Sequence, residues 1–574
     1  MKKMIFAACA VALSVLLPAR GEREYLWPEG KMPGSGERPY IEWFAAPAVP
    51  NGTCMILISG GSYQVRCDAK LVKEWREKLT AAGVQCVELA YRVPRPAGRP
   101  YYLDAWQDGQ RAVRLVRSQA AKRGFDPEKI GTISMSAGSH LAVLLATSSL
   151  TPAYEKVDAL DETPCNINRA VAFAVAYALT DGAGEANRTG GDGEGVALAP
   201  EFKFDGKTCP ICLLHGGDDP YSPVGSAKIY ERLRRMRIPA ELHIFPGRKH
   251  GAFGLDRGME FLRQTGFLGR VGKEVPLMKR YAKDNARAGL VVQDIWPAGK
   301  EPDPEKQFCK PYLEWHFPKN RTTSAIQIVW SGGGYNGNNP AEFEVAPVRR
   351  MLNARGMTVV TVKYRTPRPK TRPKHAAAWQ DVQRAVRIVR ARAPEFGLDP
   401  GKIGVMGSSA GGHLALMAAT SSTKSAYPRI DEIDDLPCSV AWAVAIYPAY
   451  VLSDGVNGYN RDGGNLDRNG IVGEFAFDAA TPPVLFIHGD ADGYSAMGSV
   501  KTWRRLRRMG IQSEVHTLAL RKHCFQKKAS PGTGSFTWLG RIEEFLETQG
   551  VLAERSDGAA GRKNVQNEGR RRRR

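Results

Sequence analysis

Lys402-Ile403-Gly404-Val405-Met406-Gly407-Ser408-Ser409-Ala410-Gly411-Gly412-His413-Leu414-Ala415 is the stretch that decides the fold. An apolar run leads into Gly-x-Ser-x-Gly, and a helix-forming run leads out of it. A serine in that setting sits on a sharp strand-to-helix turn. Its hydroxyl is lifted above the sheet edge, and small neighbours clear the approach. The motif alone occurs by chance in many chains, but here the strand before and the helix after support it. It also occurs twice: Gly131-Thr132-Ile133-Ser134-Met135-Ser136-Ala137-Gly138-Ser139-His140 is the same stretch 273 residues earlier.

Working outward, the whole chain proves to be duplicated. Ala105–Ser149 aligns with Ala378–Ser422 without a gap, Tyr91-Arg92-Val93-Pro94-Arg95-Pro96 returns as Tyr364-Arg365-Thr366-Pro367-Arg368-Pro369, and Glu201-Phe202-Lys203-Phe204-Asp205 as Glu474-Phe475-Ala476-Phe477-Asp478. So long a period marks a repeated domain, not a solenoid. The 574 residues suit two domains of roughly 250 residues. The expected organisation is a signal peptide at 1–19, domain 1 at 20–270, a linker at 271–290, domain 2 at 291–552 and a disordered basic tail at 553–574.

Within the first copy, strand-like and helix-like runs alternate. Strands are expected at Met55–Ile58, Val84–Leu89, Lys129–Ser134, Ala170–Val175, Ile211–Leu214 and Glu241–Phe245. Helices are expected at Lys70–Ala82, Asp104–Arg123, His140–Thr147 and Ser226–Met236, and a closing helix of the second copy at Thr537–Gln549. This alternation implies an α/β fold, a mostly parallel sheet covered by helices on both faces. Reactive residues then gather at the carboxyl ends of the strands.

Composition narrows the class. The formal charge is +22, concentrated in the tail Arg570–Arg574 and in runs such as Arg232-Leu233-Arg234-Arg235 and Arg504-Arg505-Leu506-Arg507-Arg508. No nucleic-acid-binding motif accompanies it, so the runs read as solvated helix faces and no nucleic-acid partner is expected. Lys2, Lys3, the apolar run Met4–Leu17 and Pro18-Ala19 have the pattern of a secretory signal, with no later segment fit to span a membrane. Periplasmic or secreted localisation follows as an expectation. Ten cysteines are too few for a dense disulfide framework in this length. The lone Cys209-Pro210-Ile211-Cys212 lacks further ligands for a metal, and Cys165 and Cys438 read as buried thiols.

A serine hydroxyl needs a base within hydrogen-bond reach, and the base needs an acid to orient it. Phe486-Ile487-His488-Gly489-Asp490-Ala491-Asp492 ends one strand, and Arg521-Lys522-His523-Cys524-Phe525 follows another. The order Ser409, Asp492, His523 recurs at the same offset as Ser136, Asp219, His250. Duplication preserves spacing but does not by itself keep three side chains. Asp218 and Asp490 compete as the acid but do not occupy equivalent places in the two copies. His215 and His488 read as loop-holding residues, and His140 and His413 as structural. An oxyanion needs preplaced donors. Candidates are the backbone N–H groups of Ala410 and Ala137 after each serine, of Gly333 and Gly334 in Trp330-Ser331-Gly332-Gly333-Gly334-Tyr335, and of Gly61 and Ser62 in Ser59-Gly60-Gly61-Ser62-Tyr63. Tyr63, Tyr335, Tyr221 and Tyr494 are open to two readings, stacking on sugar rings or ordinary packing.

These residues resemble two tandem α/β-hydrolases of the esterase/lipase superfamily, nearest to secreted bacterial carbohydrate esterases of the acetylxylan esterase-like and feruloyl esterase-like kinds. The resemblance is carried by Ser-Gly-Gly-Gly-Tyr at 331–335, Lys-Tyr-Arg at 363–365, Asp-Val-Gln-Arg-Ala-Val-Arg at 381–387, Gly-Ser-Ser-Ala-Gly-Gly-His at 407–413, His-Gly-Asp-Ala-Asp at 488–492 and His523. It implies hydrolysis of a small ester or an acylated polysaccharide through an acyl-enzyme, with no metal and no organic cofactor. Serine stands at 331 and 59 where the pattern has histidine. In the first copy Ser134, Ser139 and Ser62 replace Gly407, Gly412 and Gly334, and a positive φ at Ser62 would add strain. The alternatives are a prolyl-oligopeptidase-type peptidase, which the absence of a propeller-like run of strands opposes, and a first copy serving as a non-catalytic binding or structural module.

Overall fold

The computed structural model describes residues 21–44, 47–180, 194–269, 291–305, 308–338, 344–453, 469–528 and 538–553. The expected signal peptide, the linker and all but the first residue of the tail lie outside them.

The first half contributes β1 (Glu22–Tyr25), β2 (Tyr40–Trp43), β3 (Cys54–Ile58), β4 (Gln85–Ala90), β5 (Ile130–Met135), β6 (Arg169–Phe173), β7 (Ile211–Gly216) and β8 (Ala240–Phe245). The second contributes β9 (Val291–Asp294), β10 (Tyr312–His316), β11 (Ile326–Trp330), β12 (Thr358–Lys363), β13 (Ile403–Ser408), β14 (Trp442–Ile446), β15 (Val484–Gly489) and β16 (Glu514–Leu518). All sixteen form one sheet in the order β1-β2-β4-β3-β5-β6-β7-β8-β16-β15-β14-β13-β11-β12-β10-β9. The order is the same read from either end. Six strands of each half run parallel, and two short antiparallel strands close each outer edge.

The apolar runs explain this layering. Every residue of β3 is buried, and alternate side chains serve opposite faces. Cys54, Ile56 and Ile58 join a core that runs unbroken beneath both halves. Met55 and Leu57 join a core on the other face that stays almost wholly within the first half. The elbow helices Ala137–Thr147 and Ala410–Thr420 are buried along their full length, as their uniformly apolar or small residues require. The expected helix Asp104–Arg123 divides into Leu103–Ser118 and Ala120–Arg123. The strands β1, β2, β9 and β10 were not expected; they are short and mixed in polarity, so neither period stands out. Among the described residues, no helix is long and apolar enough to cross a membrane.

The halves meet where β8 pairs antiparallel with β16, with His243 opposite His516. Those two residues are equivalent, so a pseudo-two-fold passes between them. Their Nδ1 atoms lie 3.0 Å apart. His243 Nε2 meets Glu241 at 2.9 Å, His516 Nε2 meets Glu514, and the Arg257 guanidinium reaches His516 Nδ1 at 3.0 Å. All five are buried. Burial lifts Glu241 and Glu514 to about 8 and pushes both histidines well down. The basic runs are also not simply solvated. Arg234 pairs with Asp490 across the junction at 2.7 Å, Arg504 with Glu194 and Glu231, and Arg507 donates to the Gly217 carbonyl at 2.6 Å. They lie on the helices Val224–Arg235 and Met497–Arg508, which face each other beside β8 and β16, so the junction takes up part of the charge.

Candidate active sites

Each half brings a serine, a histidine and an aspartate together at the carboxyl ends of its strands. Ser136 follows β5 and Ser409 follows β13. Both have left-handed elbows, φ 58° and ψ −123° for Ser136 and φ 55° and ψ −121° for Ser409. A non-glycine backbone there is strained and is held by its surroundings. Ser136 Oγ lies 2.8 Å from His250 Nε2, and His250 Nδ1 lies 2.8 and 3.0 Å from the Asp219 carboxylate. Ser409 Oγ, His523 and Asp492 repeat these distances, 2.8, 2.8 and 3.0 Å.

The aspartates are buried and braced. Tyr221 N–H donates to Asp219 and Tyr494 N–H to Asp492, each at 2.8 Å. His215 and His488 sit 3.3 and 3.4 Å from the same carboxylates, and also engage Ser226 and Ser499 hydroxyls. Burial alone would raise Asp492, but hydrogen bonds from His488 and His523 win and bring it down to about 2. The same balance holds Asp219 below the usual carboxylate range. Each therefore stays ionised and able to accept the His Nδ1–H. Asp490 faces the other way, into the junction.

The glycine loop closes over each serine. A Cβ built on Gly332 would lie 2.8 Å from Ser409 Cβ, and one on Gly60 3.0 Å from Ser136 Cβ. Gly332 N–H is taken by the Glu344 carboxylate at 2.6 Å. Among the described residues, the N–H groups of Gly333, Gly334, Gly61 and Ser62 meet no acceptor. Ala410 and Ala137 open their helices, so their N–H groups have no acceptor within the helix either. Ala410 and Ala137 directly follow the serines, and Gly333, Gly334, Gly61 and Ser62 follow Gly332 and Gly60 in the loops that lie against them. Ser62 does take a positive φ, 54°, against 62° for Gly334. That costs the first half roughly 1 kcal/mol that a glycine avoids.

Tyr63 and Tyr335 are fully buried, which decides for the packing reading over stacking on sugar. Their hydroxyls bond His140 Nδ1 at 2.9 Å and His413 Nδ1 at 2.8 Å. The far nitrogens of those histidines meet Glu201 and Glu474. Tyr221 is also buried, and Tyr494 is partly buried. Several site residues were missed in the sequence. Tyr91 and Tyr364 hold the glycine loops through the Ser59 and Ser331 carbonyls, each at 3.0 Å. Tyr177 and Tyr450 stack on Tyr63 and Tyr335, and Tyr221 and Tyr494 continue the row to His250 and His523. Only the repeated Tyr-Arg pair hinted at any of this.

Two groups have metal-ligand composition: Cys212, Glu241 and His243, and His375, His413 and Glu474. At the first, a cation would meet the Arg257 guanidinium. At the second, both nitrogens of His413 already have partners and Lys374 stands alongside, its ammonium 4.4 Å above the Tyr450 ring. Neither donor set favours a resident metal. Among the described residues every cysteine is a free thiol, Cys165, Cys209, Cys212 and Cys438 all buried.

An alternating α/β sheet with a nucleophile elbow and a Ser-His-Asp relay at strand ends defines the α/β-hydrolase class. The BD-FAE family model matches twice, at residues 46–188 and 313–452, once per half. Among curated proteins, esterase LipQ of Mycobacterium tuberculosis is 27% identical over 189 residues, 32% of this chain and 43% of LipQ. An acetylxylan esterase of Xylanibacter ruminicola is 24% identical over 249 residues, 41% of this chain and 46% of that protein. The chain thus spans less than half the length of either. A solved acetyl ester-xyloside bifunctional hydrolase from Caldicellulosiruptor lactoaceticus aligns at 26% identity and TM-score 0.37, covering 45% of this chain and all of its own. Each half thus has the α/β-hydrolase fold and carries one match to the BD-FAE model.

Proposed function

We propose that each half is a serine carboxylic-ester hydrolase that removes acyl groups, acetyl or similar, from polysaccharide through an acyl-enzyme. The observation carrying this is the same relay of short hydrogen bonds, serine to histidine to aspartate, in both halves. His250 or His523 takes the serine proton at Nε2 while Oγ attacks the ester carbonyl. Asp219 or Asp492 fixes the tautomer and stabilises the imidazolium that forms. The oxyanion is received by N–H groups of the glycine loop and of Ala137 or Ala410. The histidine returns its proton to the leaving alcohol, then activates water to release the acid. Polysaccharide as the source of the ester is supported by the acetylxylan esterase relative. Export fits a polymeric substrate and the signal-like start of the sequence. The equal relay distances in the two halves argue against a purely structural first copy.

The test is hydrolysis of p-nitrophenyl acetate and labelling by a fluorophosphonate, using Ser136→Ala, Ser409→Ala and the double variant. Each single variant should keep one labelled site and the double variant none. A wild-type protein that neither turns over the ester nor takes the label would overturn the reading. Comparing acetylated xylan with feruloylated arabinoxylan then assigns the acyl group.

A further inference from the structure

Behind Ser409 lies a buried polar bracket that, among the described residues, has no counterpart behind Ser136. The Glu344 carboxylate accepts from Gly332 N–H at 2.6 Å through Oε2 and from the Tyr447 hydroxyl at 2.9 Å through Oε1. The Gln526 amide also contacts the Tyr447 hydroxyl. With that amide turned so that Nε2 faces the hydroxyl, Gln526 donates to Tyr447 and Tyr447 donates to Glu344, and the otherwise unpartnered Nε2 is satisfied. The three side chains are 4%, 0% and 7% exposed, so these bonds have little competition from water. Tyr447 directly follows β14 at φ 33°, a costly backbone for an aromatic residue. Its ring packs edge-on against the His523 imidazole, centroids 4.9 Å apart. One connected unit therefore touches the glycine loop, the imidazole and the segment just after His523. At the matching positions the first half has Leu71, Ala174 and Phe253. Its nearby carboxylate, Asp68, takes the Cys67 thiol instead of the Gly60 N–H.

Given the hydrolase reading above, on which this rests, we propose that Glu344 and Tyr447 are positioning residues for the second site alone. They hold the oxyanion loop at a fixed spacing from the general base, so that Gly333 and Gly334 N–H groups and His523 Nε2 converge on one carbonyl. Neither touches substrate; each acts through Gly332 or His523. Burial and the neighbouring Glu344 carboxylate keep the Tyr447 phenol protonated, as a donor must be.

The experiment uses the full chain carrying Ser136→Ala, so that only the second site turns over. Tyr447→Phe deletes one hydroxyl, Glu344→Leu installs the first half's residue, and Glu344→Gln keeps an acceptor for Gly332. For Tyr447→Phe and Glu344→Leu, kcat on p-nitrophenyl acetate should fall about tenfold with KM little changed. Glu344→Gln should recover most of the rate. Amide hydrogen exchange of the peptide spanning 331–338 should rise in step with the loss, giving a readout independent of turnover. Unchanged kcat and exchange in both Tyr447→Phe and Glu344→Leu would overturn the proposal, as would Glu344→Gln being as damaging as Glu344→Leu. If the Ser136→Ala parent shows neither turnover nor fluorophosphonate labelling, the hydrolase reading fails and the bracket's catalytic role fails with it.

Discussion

Replacing Asp490 with alanine separates two aspartates that stand two residues apart in one strand-end loop. Asp492 faces His523, whereas Asp490 faces the other half of the molecule. Its carboxylate accepts from the Tyr230 hydroxyl at 2.7 Å, from Arg234 at 2.7 Å and weakly from the Ala240 N–H at 3.4 Å. The ion-paired side chains of Arg234 and Asp490 are 8% and 9% exposed, too buried for water to replace the lost partner. Breaking a buried pair from one side costs about 3–5 kcal/mol. Arg234 keeps the Asp490 backbone carbonyl as an acceptor, so the lower end applies, about 3 kcal/mol. The assay is urea unfolding followed by circular dichroism, alongside turnover by the second site in a Ser136→Ala background. Asp490→Ala should lower the unfolding free energy by that amount and leave kcat within about twofold. Asp492→Asn should do the opposite, costing about ten-thousandfold in kcat through the wrong histidine tautomer. A stability loss below roughly 0.5 kcal/mol, the range of ordinary surface changes, would refute the bridging role. Loss of turnover in Asp490→Ala would refute the assignment of the acid.

Two further outcomes follow from the glycine loops and from the buried junction. Gly332→Ala should abolish second-site turnover and labelling, because its Cβ would lie 2.7 Å from the Ser408 carbonyl and 2.8 Å from Ser409 Cβ; Gly60→Ala, with 3.0 Å and 3.2 Å contacts, should reduce the first site less, and equal losses would contradict the geometry. The buried Glu241 carboxyl is raised to about 8 from an ordinary 4.5. Its contribution to stability is thus full below its unfolded pKa and is lost as pH rises through the folded value. Denaturation measured from pH 4.5 to 8 should therefore show a shallower decline in Glu241→Gln than in wild type, with little difference between the proteins at the acid end, and parallel curves would mean the carboxyl is already ionised.

Much of the fold was legible because both halves are built from runs with a clear period. Met55–Ile58 is too apolar to be anything but buried, and the helices carry apolar stripes. The elbow was legible because a small-residue frame around Ser409 has few other uses. What stayed hidden depends on contacts distant in sequence. The strands Glu22–Tyr25 and Tyr40–Trp43 take their form from edge pairing and carry no strong pattern of their own. Tyr335 is open in the sequence to sugar stacking or packing, and the choice is made by Tyr364, Tyr450 and His413, which lie far off in the chain. Glu344 belongs to no motif, since its partners Gly332 and Tyr447 come from two other segments. Arg234 and Arg504 looked like solvated charges because nothing in one helix announces that the other half packs against it.

The antiparallel junction also has a kinetic meaning. Since β8 and β16 run in opposite directions, the carboxyl ends of the parallel strands in the two halves point to opposite edges of the sheet. Ser136 and Ser409 therefore follow strands of opposite polarity, with six strands between them in the sheet. Seven strand spacings of roughly 4.8 Å, about 34 Å of sheet, separate β5 from β13, so on the proposed chemistry a small product leaves one site for bulk solvent. On the proposed chemistry, duplication raises the number of encounters per molecule without making the enzyme processive along a single chain. Bivalent attachment, where it occurs, joins two separate strands of polymer or two distant stretches of one, with an effective concentration set by the polymer's flexibility and not by the protein.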